Sequence, residues 1–235
     1  MLEIKNLHKS FGTKHVLKGI DLNVPDGEIY GFIGHNGAGK TTTIRAAVGI
    51  LDFEQGRIMV DGIDIQRDPV AVKERIAYLP DNPDLYENLT GITYLNFIAD
   101  IFGMGEERKG KIEELARELE IYENLGDQIR TLSHGMKQKV AVISAFMHEP
   151  RLLVLDEPFV GLDPKAAFIL KNKMRQLTET GAGIFFSSHV LEVVSNLCDE
   201  IAILKEGEVV KQGRTIDIMS QGDSLEEIFL ETENA

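Results

Sequence analysis

A single cysteine, Cys198, stands in 235 residues, which excludes an internal disulfide and suits a reducing compartment. Basic residues are also in short supply: 25 Lys and Arg face 38 Asp and Glu, for a formal net charge of −13. That deficit argues against nucleic acid as a partner, because such binders draw affinity from excess positive charge. Long apolar runs are absent too. "AVISAFM" is among the longest, far short of the roughly 20 residues that span a bilayer. The opening "MLEIKNLHKSFG" alternates like a strand and lacks the pattern of a signal peptide. No repeat or low-complexity segment stands out. What remains is a chain 43% hydrophobic, long enough for one large domain or a core with an inserted subdomain, and expected to be ordered and cytoplasmic.

One further absence is local. "LSHGMKQK", Leu132 to Lys139, reads as a helix start, with Ser133 as N-cap and Val140, Ile143 and Met147 continuing at helical spacing. Helices favour Asp or Glu in the first turn, where the dipole is positive. Here there is none, and Lys137 and Lys139 add positive charge. "GKTTTIR" begins a second helix with no acid. Taken alone, a Gly- and Lys-bearing helix start is equally a chance occurrence.

The first third reads as β-rich. "LEIKNL", "HVLKGIDLNV" and "GRIMVDGIDI" alternate or carry β-branched residues between turn segments such as "FGTK" and "PDGE". From about Leu85 to Pro150 the pattern turns helical, with Ile112, Leu115, Ala116 and Leu119 at helical spacing. "RLLVLDEP" and "AGIFFSSH" are apolar runs of strand length, suited to central strands of a parallel sheet covered on both faces. "KAAFILKNKMRQL" and "VLEVVSNLC" read as intervening helices, "EIAILKEGEVVKQG" as a hairpin about Gly207, and "SLEEIFLETENA" as a short acidic amphipathic helix. The expected architecture is a parallel α/β core with an N-terminal β-layer and a helical insert.

"GHNGAGKT", Gly34 to Thr41, matches G-x-x-x-x-G-K-[ST] without a mismatch. Small residues let successive backbone N–H groups curl round a phosphate chain, and the helix that follows adds its dipole. Lys40 can reach outer phosphates and Thr41 can offer a hydroxyl to magnesium. A strand before the loop and a helix after it separate this match from a chance glycine turn. Asp156 ends the strand "RLLVLD", where ligands sit in open α/β sheets; taken alone it is equally a helix or turn cap. Glu157 adds a second carboxylate, which mutual repulsion disfavours at a buried strand end without a cation. With magnesium on Asp156, Glu157 is free to orient or deprotonate water for attack on a γ-phosphate.

With "GHNGAGKT", "LSHGMKQK", "LLVLDEP", "GLDP" and "SSH" in that order, the sequence resembles the ATP-binding-cassette (ABC) ATPases, the motor subunits of ABC transporters. The match spans nearly the whole chain. "DLYENLT" and "GMKQK" look most like the branch serving drug, bacteriocin and related exporters with separate membrane subunits. The resemblance implies a P-loop NTPase (RecA-like) parallel-sheet core with an N-terminal antiparallel β-layer and an inserted helical subdomain at 84–150, within one domain of 1–235. A short helical tail is expected at 219–235.

In the family, the signature segment caps the nucleotide held by the opposite subunit, so two chains bury two ATP molecules head to tail. On that resemblance Ser133 and the N–H groups around Gly135 face the partner's γ-phosphate, and ATP supplies the missing anion of the first turn. Gly34, Asn36, Gly37, Ala38, Gly39, Lys40, Thr41 and Thr42 form the phosphate loop. Lys40, Glu157 and His189 are the expected catalytic residues, with Asp163 contacting across the dimer and Phe11 stacking on adenine. Read from the residues alone, Asp163 before Pro164 is a helix cap, His189 a structural histidine at a strand end and Phe11 a core aromatic beside a turn. Magnesium would rest on Thr41, Asp156 and Asp81. Three departures from the pattern are His134 and Met136 in place of Gly and Gln, Asp81 where Gln or Glu is common, and Phe11 where Tyr is common.

The function so implied is ATP hydrolysis driving transport, and export in particular, through transmembrane permease subunits on separate chains. A second ATPase subunit, most simply another copy, completes the working dimer. The chain would then sit in the cytoplasm, attached to the inner face of the membrane through a permease helix docked around Asp81 to Leu95. Two rival readings are a single-cassette ABC ATPase acting in an assembly process and a non-catalytic nucleotide switch. Glu157 and His189 disfavour the latter.

Overall fold

The computed structural model describes residues 1–219 and 224–234. Alternating apolar residues set up an N-terminal antiparallel sheet of β1 (Leu2–Phe11), β2 (Lys14–Val24), β4 (Gln55–Val60) and β5 (Ile63–Asp64), in the order β2-β1-β4-β5. The second sheet has six strands. β3 (Ile29–Ile33), β6 (Ile76–Leu79), β7 (Leu152–Asp156), β8 (Gly183–Ser188) and β9 (Glu200–Lys205) run parallel, and β10 (Glu208–Arg214) closes the edge as an antiparallel hairpin partner of β9. Their order is β10-β9-β3-β8-β7-β6.

β3 explains why the central strands read as unbroken apolar runs. Tyr30 and Phe32 enter the core shared with the N-terminal sheet, while Ile29 and Ile33 enter the core on the opposite face. A strand covered on both faces has no solvent side to mark with polar residues. α1 (Lys40–Ala47) and α2 (Pro69–Lys73) lie with the first core, through Ile44, Ala46, Ala47 and Val72. α6 (Pro164–Glu179) and α7 (Leu191–Leu197) cover the other through Leu170, Met174 and Val194. The lone cysteine is a packing residue: a Cβ at Gly31 would stand 2.6 Å from the Cys198 sulfur. Burial pushes that thiol's pKa up.

Between β6 and β7 the chain makes α3 (Gly91–Ile101), α4 (Glu107–Glu118), two 3-10 turns and α5 (His134–Phe146). Their buried Leu95, Ile112, Leu115, Val140 and Ile143 continue the second core. After β10 come α8 (Thr215–Met219) and α9 (Leu225–Asn234), so residues 220–223 and 235 of the expected 219–235 tail lie outside the described residues. The parallel α/β core with an antiparallel β-layer is the fold expected from sequence. Among the described residues no helix is long and apolar enough to cross a membrane.

Candidate functional site

The carboxyl ends of β3 and β7 and the start of α1 meet at a cavity of about 350 Å³. The loop from β3 to α1 can be tight only with glycine. A Cβ on Gly34 would lie 2.5 Å from the Leu204 carbonyl, and one on Gly39, at φ 115°, would lie 2.9 Å from Leu17 Cδ2. Asn36, Gly37, Gly39, Lys40, Thr41 and Thr42 line the cavity, with Gly34 and buried Ala38 beneath it. α1 starts with no side-chain cap and no acid in its first turn, so its N–H groups await an acceptor. Lys40 is only 6% exposed, and its ammonium donates to the carbonyls of Gly34 (2.5 Å) and His35 (3.4 Å). A buried cation beside the uncapped N–H groups of a helix start is a fit for a phosphate chain.

Asp156 and Glu157 share the cavity although neighbours on a strand face opposite sides. The backbone resolves this. β7 ends at Asp156, and Glu157 turns into the left-handed region at φ 50°, which a non-glycine residue adopts only under local constraint. Ser187 Oγ is that constraint, donating to Asp156 Oδ1 (2.6 Å) and accepting from the Glu157 N–H (3.1 Å). Ser187 is a residue the sequence reading missed. It lies opposite Asp156 in the β7–β8 register, a pairing between residues 31 apart that only the sheet reveals.

Glu157 is not free. Its Oε1 lies 3.7 Å from Lys40 Nζ, and its Oε2 accepts from the His189 N–H (3.3 Å) and meets His189 Nδ1 at 2.9 Å. His189, just past β8, is therefore joined to the Glu157 carboxylate through both its backbone N–H and its ring. Phe11, at the end of β1, is 51% exposed on the cavity rim, which rules out the core-aromatic reading. Lys9 Nζ lies 5.3 Å from its ring centroid. Lys14, Val16 and His35 also line the cavity and were not singled out in the sequence.

The donor set suits a hard cation that keeps part of its water. One buried carboxylate, Asp156, and the hydroxyl-bearing Thr41 and Thr42 line the same space, with the exposed Asp81 at its edge. No cluster of three or more His, Cys, Asp or Glu among the described residues makes an all-protein cage.

Ser133, Gly135 and Asp163 do not line this cavity. They form a second cluster, where α5 meets the loop before α6. Ser133 Oγ caps α5 by accepting from the Met136 N–H (3.3 Å), and Asp163 Oδ1 caps α6 by accepting from the Ala166 N–H (2.8 Å). A Cβ on Gly135 would stand 2.9 Å from the Gly161 carbonyl. The lysines of the α5 start are neutralised within the chain: Lys137 pairs with Glu87 (2.7 Å) and Lys139 with Asp163 (2.8 Å). The Lys139 ammonium, with the Ala166 N–H, holds the Asp163 carboxyl below its ordinary pKa.

The family model described as ABC transporter matches residues 17–160, more than half of the chain. The chain belongs to the ABC transporter family. It is 36% identical to the linearmycin resistance ATP-binding protein of Bacillus subtilis, across 96% of this chain and 73% of that one. A solved ATP-binding subunit of an ABC transporter superposes with a TM-score of 0.94 at 37% identity, covering 98% of each chain. The fold also matches, at a TM-score of 0.84 and 23% identity, a dimeric ATP-binding cassette in a post-hydrolysis state with ADP and Pi; 92% of this chain and 99% of that one are covered. This ABC subunit is thus an ATP-binding ATPase, and the glycine-rich loop of residues 34–42 lies within the matched span.

Proposed function

We propose that this subunit hydrolyses ATP in a dimer of two cassettes and drives export through transmembrane subunits on separate chains. The observation that carries this reading is the tethered pair of Lys40 and Glu157 at the mouth of the phosphate loop. The backbone N–H groups of Gly37 to Thr42 and the Lys40 ammonium hold the phosphates, while Phe11 meets the adenine. Thr41 and Asp156, with Asp81 at the edge, would hold magnesium, which would neutralise phosphate charge. Glu157 orients a water and takes its proton as the water oxygen bonds to the terminal phosphorus. The bond to the bridging oxygen breaks, giving ADP and inorganic phosphate. His189 keeps the Glu157 carboxylate aimed and is placed to contact the same water or phosphoryl oxygens.

Two features support a dimer. The Ser133–Gly135–Asp163 cluster stands apart from the chain's own cavity, so in this reading a second cassette brings it to a nucleotide. The cassette with ADP and Pi that shares this fold is itself dimeric. Export is supported by the name of the linearmycin resistance relative. No described helix is long and apolar enough to span a bilayer, and this reading assigns the pore to separate transmembrane subunits. Attachment to the inner membrane face follows through a groove near Asp81 to Leu95, where Tyr86, Ile92 and Phe97 expose apolar surface.

Glu157→Gln keeps the shape of the side chain and removes its basicity. It should lower hydrolysis about a hundredfold or more while ATP and magnesium trap a dimer, read by light scattering. A variant that stays monomeric at saturating ATP would overturn the clamp. Purification from membranes should recover an integral-membrane partner, and recovery of none would overturn the transporter assignment.

A further inference from the structure

α9 is built by its own sequence and completed by docking. Ser224 and Glu227 form a reciprocal capping box, the Ser224 N–H donating to Glu227 Oε2 (2.7 Å) and the Glu227 N–H to Ser224 Oγ (3.2 Å). Leu225, Ile228 and Phe229 then follow at helical spacing and are all buried, while Glu226, Glu227, Leu230 and Glu231 face solvent. A ten-residue helix is marginal in water without tertiary packing, so its presence depends on what it touches.

It touches the rim of the nucleotide cavity. The Phe229 ring packs on the His35 ring, with centroids 4.8 Å apart and planes at 56°. In the last turn, the Thr232 carbonyl accepts from Lys205 Nζ (3.0 Å), at the end of β9. The preceding residue, Leu204, carries the carbonyl that stands beneath Gly34. α9 also packs on α7, which begins two residues after His189.

His35 is the sensitive point. Its side chain lines the cavity, and its carbonyl accepts both from Lys40 Nζ and from the Ala38 N–H (3.1 Å). A shift of His35 would therefore move an acceptor of the buried ammonium and reopen the tight loop. We propose that α9 is a positioning element for the phosphate loop, with Phe229 buttressing His35 so that a docked α9 raises nucleotide affinity. This rests on the reading of the Gly34–Thr42 loop as the nucleotide site. By linkage, nucleotide must then stabilise α9 docking by the same factor.

In the full chain, Phe229→Ala should raise the Kd of a fluorescent ATP analogue and the KM for ATP about three- to tenfold, as expected for one aromatic contact. The kcat should stay within about twofold; general loss of folded protein would instead lower kcat at unchanged KM. On a His35→Ala background the same substitution should have no further effect. An unchanged Kd in Phe229→Ala, or an equal effect with and without the His35 ring, overturns the proposal. Hydrogen exchange needs no helix variant: a non-hydrolysable ATP analogue should slow exchange across α9 in the unmodified chain, and unaltered exchange overturns the proposal independently. Lys40→Ala separates the two layers. If it still binds the analogue, the loop is not the nucleotide site; if it does not, while Phe229→Ala binds normally, only the role of α9 falls.

Discussion

The first turns of α1 and α5 are alike in composition and unlike in surroundings. Both lack an acid, and both hold lysine close to glycine. At α1 the lysine is buried against backbone carbonyls, and the N–H groups open onto a cavity within the same chain. At α5 a serine hydroxyl caps the helix, both lysines are paired with carboxylates from other elements, and Ser133 and His134 stand exposed. A positive helix start is suited to hold a phosphate chain by itself only where glycines let several donors converge on one space. Without that convergence it is, in the proposed dimer, half a site that a second surface completes. Glu87 and Asp163 neutralise Lys137 and Lys139 without an acid entering the first turn of α5, so the dipole is left uncompensated.

The sharpest way to break this comparison is to remove a lysine from each start. Lys40→Ala should weaken ATP binding about a hundredfold or more, because a buried, charge-assisted contact is lost. Lys137→Ala should leave binding within about twofold in the same titration, its charge being already spent on Glu87. Equal losses would show that the two starts are equivalent. Ser133→Arg comes next. It places bulk and charge on the half-site, so phosphate release should fall about a hundredfold while binding to the chain's own loop persists.

The far ends of the two helices differ as well, and this sharpens the contrast through pH. α1 ends among buried alanines, whereas His148, just past α5, lies flat on Phe102 with ring centroids 3.7 Å apart. Burial lowers its pKa from 6.5 to about 4. Above pH 6.5 both folded and unfolded chains carry it neutral, and its full contribution to stability is present. As pH falls from 6.5 toward 4 the unfolded chain takes up a proton that the folded one resists, which costs up to about 3 kcal/mol. Urea unfolding should show this loss, and His148→Phe should flatten it across that window. The smallest effect belongs to Asp163→Asn, which keeps the α6 cap and removes the ion pair between the exposed Asp163 carboxylate and the half-buried Lys139. Stability should change by no more than about 0.5 kcal/mol, while hydrolysis falls if Asp163 acts across the dimer.

Much of this was legible in the chain. The apolar runs of β7 and β8, the hairpin about Gly207, the Ser133 and Asp163 caps and the phosphate loop all follow from neighbours in sequence. Other features were not. Phe11 reads equally as a core or rim aromatic until β1 is placed at the edge of the cavity. Glu157 looks free until β8 brings His189 to its carboxylate. Lys137 and Glu87 are 50 residues apart, and no local pattern pairs them. Phe229 gives no sign in sequence that it will meet His35.

Local chemistry alone determined the glycine loop, the capped helix starts and the strands with apolar side chains toward both faces, since each depends on backbone geometry and periods of two or 3.6 residues. Sheet order decided the rest. Placing β3 between β8 and β9 carries Glu157, His189, Lys40 and α9 to one edge. Which side chains then meet depends on how distant segments pack, and packing is a property of the whole core rather than of any one stretch.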